Sequence, residues 1–131
     1  MLYTKCILHE KEETDGTRIS VMSRHTLNDG ITPDQRIIST SFDEWMPELA
    51  PPAKLVGDHY LRNLPWMEFE RRYLEYLSHP YINSQVSTLA TRSLTRDITI
   101  LCVEETAQYC HRRLLAEECQ KYQPSLIIEH R

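Results

Sequence analysis

Ile98 to Val103 is a short and almost wholly apolar run, the pattern of a central strand covered on both faces. Behind it, Cys110 to Tyr122 has helical spacing, with Leu115, Cys119 and Tyr122 on one face and Pro124 as the stop. Leu126-Ile127-Ile128 then reads as a second strand. A strand–helix–strand unit this short forms a right-handed parallel crossover. The chain is therefore expected to be an α/β protein.

The remaining segments fit that class. Leu2 to Leu8 and Arg18 to Met22 read as strands, with Asp15-Gly16 as the turn signal before the second. The short Glu10–Gly16 connection leaves a hairpin between them open. Ser23 to Ile38 has no clear periodicity and holds Asn28-Asp29-Gly30 and Pro33, so it reads as a loop, long enough for a function to be expected of it. Ser41-Phe42-Asp43-Glu44 has the form of a capping box and predicts a helix that stops near Pro47. Further helices are predicted from Pro51-Pro52 to about Tyr60, from Pro65 to Ser78 and from Asn83 to Leu94. The second of these has Asn63 as its cap and Trp66, Phe69, Tyr73 and Leu77 as its apolar stripe. At 131 residues, with no internal repeat and no linker, one domain over residues 1–131 is expected. It should have three layers, a small and mostly parallel sheet flanked by helices.

Charge and cysteine usage narrow the class of protein. A net charge of −4 argues against a general nucleic-acid binder, which shows a basic excess or stripe. The four cysteines lack the dense spacing of a disulfide scaffold, and Met1 to Glu12 turns charged too soon for a signal peptide. No stretch approaches the roughly 18 apolar residues that span a bilayer. A reduced, cytoplasmic protein without a membrane partner is expected; oligomeric state is not legible.

The chemistry gathers where the central strand ends. Cys102 and Glu104 share one face of the strand. Cys110 sits at the start of the following helix, where the helix dipole, Arg112 and Arg113 favour a thiolate, so it is a candidate nucleophile or sulfur carrier. His111 lies on the sheet-facing stripe, placed either as a general base or as a hydrogen-bond donor to a strand-end carbonyl. Arg112, beside free backbone N–H groups, makes an anion-binding corner. Arg24 and His25 directly follow the second strand and would join the same edge in a parallel sheet. The candidate catalytic set is Cys110, His111, Glu104 and Cys102, with Arg112 and Arg24 for a ligand. Packing alone for Cys110, and a solvated carboxylate for Glu104, remain open.

Several known chemistries are excluded by spacing. The eight-residue offset between Cys102 and Cys110 is not that of a zinc knuckle, so no metal is expected. Ala116 stands where a cysteine-phosphatase loop needs arginine. No Walker loop or dinucleotide fingerprint occurs, and three glycines give little material for a phosphate cradle, so no cofactor is expected. Two functions lead, with a zinc site on Cys102, Cys110 and His111 as a third, weaker option. One is an anion-accepting pocket with cysteine, histidine and arginine that serves a thiol-dependent enzyme acting on a small anionic substrate. The other is a non-catalytic binding module for a phosphate or carboxylate ligand or a nucleic-acid phosphate.

The order of motifs resembles the family called domain of unknown function 488. Asp15-Gly16-Thr17-Arg18 with its apolar continuation to Arg24 is similar to one family segment, and Asp43-Glu44-Trp45 through Glu48-Leu49-Ala50-Pro51 to another. Phe69 to Leu77 resembles the helix that follows. Cys102-Val103-Glu104, then Cys110-His111-Arg112, resembles the cysteine motif of a second branch. Ser23-Arg24-His25 departs from the Asp-Arg-Leu-Trp-Pro-Arg-Gly usual at that point. The resemblance implies the α/β fold and the location of the site, and carries no activity with it.

Overall fold

The computed structural model describes residues 1–131. Five strands form one wholly parallel sheet: β1 (Leu2–Cys6), β2 (Thr17–Ser20), β3 (Glu44–Trp45), β4 (Ile98–Cys102) and β5 (Ile128–His130), in the order β3-β2-β4-β1-β5. Four helices accompany it: α1 (Ala53–Leu61), α2 (Trp66–Leu77), α3 (Pro80–Thr95) and α4 (His111–Tyr122). The apolar run found in the sequence is the middle strand, paired with β2 on one side and β1 on the other. Because β1 and β2 both run parallel to β4, the Glu10–Gly16 connection is not a hairpin.

Strand order explains the layers. From β1 to β2 to β3 the chain steps one way across the sheet, and from β3 to β4 to β5 it steps back. Right-handed crossovers put connections of opposite direction on opposite faces. The helices carry only the return steps, so all four share one face. Alternation along the strands turns Leu2, Ile19, Ile98 and Ile100 to that face, where they pack with Leu55, Phe69, Tyr73, Leu89 and Leu115 in one cluster. The third layer is loop and short 3-10 turn instead of helix.

That loop-covered face is polar at its centre. Arg18 on β2 and Lys5 on β1, on either side of β4, are both buried and converge on the fully buried Asp15. Gly16, at φ +65°, turns the chain from Asp15 into β2, and a Cβ there would lie 2.2 Å from the carbonyl oxygen of Asp97. The Asp-Gly-x-Arg motif is thus a turn and ion-pair unit that fastens the β1–β2 crossover to the sheet.

Two local readings are corrected. The capping-box sequence at Ser41–Glu44 forms no helix: Glu44–Trp45 pairs with β2 as the edge strand, and Pro47–Leu49 is a 3-10 turn. The Asp43 carboxylate accepts the backbone N–H of Arg18 at 2.8 Å, so it serves the sheet and caps nothing. Asn63 does not cap α2 either; it takes a left-handed conformation at φ 57°, and Pro65 occupies the cap position. No helix is long and apolar enough to cross a membrane.

Candidate functional site

The carboxyl ends of β2 and β4 lie side by side, and the chain leaves them in opposite directions across the sheet. Such a divergence opens a crevice above the strand ends. A cavity of about 400 Å³ fills it, a size suited to a metabolite. It is lined by Cys102 and His111, by residues of the 22–30 loop and of α1, and by Trp66 and Tyr109. Trp66 stacks on Phe69 at 5.0 Å and meets Tyr109 edge-on at 5.6 Å.

Alternation along β4 turns Cys102 toward the helical face, into the first turn of α4. Its Sγ lies 3.7 Å from His111 Nδ1. On the other side of the ring, Nε2 is 2.8 Å from the carbonyl oxygen of Val21. A carbonyl can only accept, so Nε2 carries the proton and Nδ1 presents its lone pair to the thiol. The end of β2 therefore fixes which nitrogen faces the sulfur on β4.

Behind this pair stands Arg112, fully buried. Nη1 donates to the Glu104 carbonyl at 2.6 Å and to Cys110 Sγ at 3.5 Å, and Nη2 to the Glu105 carbonyl at 3.5 Å. Its Nε has no partner, and no carboxylate pairs with the guanidinium. A buried cation of this kind needs a compensating negative charge. Of the two nearby sulfurs, Cys102 is the one placed to supply it. The Cys110 thiol, donating its hydrogen to Cys102, holds the Cys102 thiol below the ordinary cysteine value against the opposing effect of burial, with further help from the Glu104 backbone N–H and the Arg112 charge. Burial, together with the neighbouring Cys102, pushes Cys110 well up. Cys119, buried among apolar neighbours, is pushed up to about 12 by burial.

The structure brings Cys102, Glu104, His111 and Arg24 to the cavity wall. Cys110 and Arg112 lie behind Cys102, outside that wall, so Arg112 touches sulfur and not the cavity. The Glu104 carboxylate accepts the hydroxyl of Tyr60, whose own titration is raised by burial and by that bond. Arg24 reaches the cavity with one 3.3 Å bond to the Gly30 carbonyl. His25 turns to the other face, bonded to Ser20 Oγ at 2.7 Å and stacked on Phe42 at 4.8 Å. Donor atoms of Cys102, Cys110 and His111 lie within 4.8 Å of one another, as do those of Cys6, His9 and Glu105, and either group could hold a thiophilic cation. Tyr60 and Tyr109 escaped the sequence reading, because no spacing rule shows which aromatic side chains the crossover turns toward the strand ends.

A family model described as DUF488-N3a, the active DUF488-N3 subclade, matches residues 2–123. No curated protein and no solved structure matches the chain.

Proposed function

The chain belongs to the DUF488 family, and we propose that it is a thiol-dependent enzyme whose nucleophile is Cys102. The observation that carries this reading is Arg112: a guanidinium buried without a carboxylate, and joined through Cys110 to Cys102, favours negative charge on that sulfur. The nucleophile expected at Cys110 thus moves one sulfur forward, to the thiol that lines the cavity. His111 Nδ1 takes the Cys102 proton. Sγ then bonds to an electrophilic atom of the substrate, the leaving group departs with the electron pair, and the proton held on His111 goes to it. The description of the matched subclade as active fits this reading.

The substrate is a small molecule with an apolar or planar body and an anionic group. Trp66 and Tyr109 supply the apolar wall, and Arg24 is its basic residue. Four free, buried cysteines suit a reducing compartment, in keeping with the cytoplasm. A paired labelling experiment tests thiol and anion together. Iodoacetate and iodoacetamide differ in charge and not in chemistry, and both should label Cys102 before Cys6, Cys110 or Cys119. Arg24→Ala is expected to slow iodoacetate severalfold while leaving iodoacetamide within about twofold. First labelling at another cysteine would remove the nucleophile. Equal effects on both reagents would remove the anion and leave the thiol.

A further inference from the structure

Cys110 has no step of its own in the reaction just described, yet it is held against the sulfur that does. Its Sγ, Cys102 Sγ and His111 lie within 4.8 Å of one another, and Arg112 Nη1 donates to it at 3.5 Å. Access to the two thiols is unequal. Both are buried, but Cys102 lines the cavity, whereas Cys110, at the start of α4, does not. A reagent entering from solvent therefore meets Cys102 first and finds Cys110 only through it. Residues 103–109 between them contain bends and turns and no strand or helix, so the connection itself carries no ladder hydrogen bond.

Resting on the proposed Cys102 nucleophile, we infer that Cys102 is an oxidation site for hydroperoxides and that Cys110 is its resolving thiol, the product being a reversible Cys102–Cys110 disulfide. The Cys102 thiolate attacks the terminal oxygen of the hydroperoxide: an S–O bond forms, the O–O bond breaks, and the departing alkoxide or hydroxide takes the proton held by His111. The Cys110 sulfur then attacks the sulfenic sulfur. An S–S bond forms, the S–O bond breaks, and hydroxide leaves with the Cys110 proton as water. Two electrons pass from the paired sulfurs to the peroxide. Arg112, already donating to Cys110 Sγ, favours the attacking sulfur as it loses its proton. The disulfide shuts off the nucleophile, and a dithiol restores it. A lone Cys102 would instead pass on to the sulfinic acid, from which no ordinary thiol recovers it.

The test uses the intact reduced protein and hydrogen peroxide. The expected product has lost two hydrogen atoms by intact mass, gives a Cys102–Cys110 crosslinked peptide under non-reducing digestion, no longer alkylates at Cys102, and regains both mass and labelling with dithiothreitol. Cys110→Ser or Cys110→Ala should leave a dimedone-reactive sulfenic acid at Cys102 that goes on to gain a second oxygen, while Cys6→Ser should leave the crosslink unchanged. A wild-type protein that takes up oxygen at Cys102 as fast as the Cys110 variants, or a crosslink from Cys102 to Cys6, overturns the inference. Alkylation of the reduced protein separates the two claims. Ready labelling at Cys102 without a disulfide removes the resolving role alone, and a Cys102 inert to both reagents removes the proposed enzyme as well.

Discussion

Asp15→Asn is expected to lower the free energy of unfolding by about 3–5 kcal/mol, the usual cost of removing one partner from a buried ion pair. The shape hardly changes, so the loss is one of charge. Asp15 is fully buried and accepts Arg18 Nη1 at 2.6 Å, Lys5 Nζ at 3.1 Å and Arg131 Nη1 at 3.2 Å. Asparagine would leave buried Arg18 without a counter-charge and Lys5 with only the exposed Glu12 at 3.5 Å, and would point an amide donor at one of them. Urea denaturation followed by circular dichroism reads the effect as an earlier midpoint. Set against a typical domain stability of about 5–15 kcal/mol, the loss is large enough to populate unfolded chains.

The pH dependence of the same pair of proteins has a defined sign. Burial works to raise the Asp15 titration, but the Glu12 N–H, Arg18 and Lys5 outweigh it and hold the carboxyl below its ordinary value. A depressed folded-state value gives stability that is present above the unfolded value and is lost as pH falls through the folded one. The gap between wild type and Asp15→Asn should therefore be constant near neutrality and shrink in acid. A gap that widens in acid contradicts the ion-pair account.

Arg112→Met is expected to act on reactivity instead of stability. Removing the guanidinium withdraws the charge behind Cys110 and Cys102, and the apparent titration of Cys102 should rise. Labelling at neutral pH then falls about tenfold per unit. Methionine fills similar volume, and a buried cation without a carboxylate contributes little net stability, so the unfolding midpoint should change little or rise. Site-resolved iodoacetamide kinetics and urea denaturation on one sample distinguish the two. Unchanged labelling with a large loss of stability would make Arg112 a structural residue.

The parts of the fold legible in the sequence are those set by local pattern. The apolar run at Ile98–Cys102, the stripe of α2 and the helix start at Cys110 needed only strand and helix periodicity. What failed were segments decided by distant partners. Glu44–Trp45 became an edge strand because β2 offered a free edge, and no property of Ser41–Glu44 announces that. The site follows the same division. Cys102, Glu104, Cys110 and His111 were found together because one strand–loop–helix unit carries them. Their roles were not legible, since these depend on crossings between elements: Val21, just past β2, sets the His111 tautomer, and Tyr60 on α1 occupies Glu104. Arg112 was visible as a cation beside a thiol, but its burial without a carboxylate needed the packed strand–helix corner to be seen.

The central claim is that Cys102 carries the thiolate, and the rate of its alkylation as a function of pH tests it most directly. Iodoacetamide labelling of the reduced protein, resolved by cysteine, should give Cys102 a midpoint below the free-thiol value of about 8.5, with Cys110 well above it. A Cys102 midpoint at or above that value, or a lower one for Cys110 than for Cys102, would contradict the account.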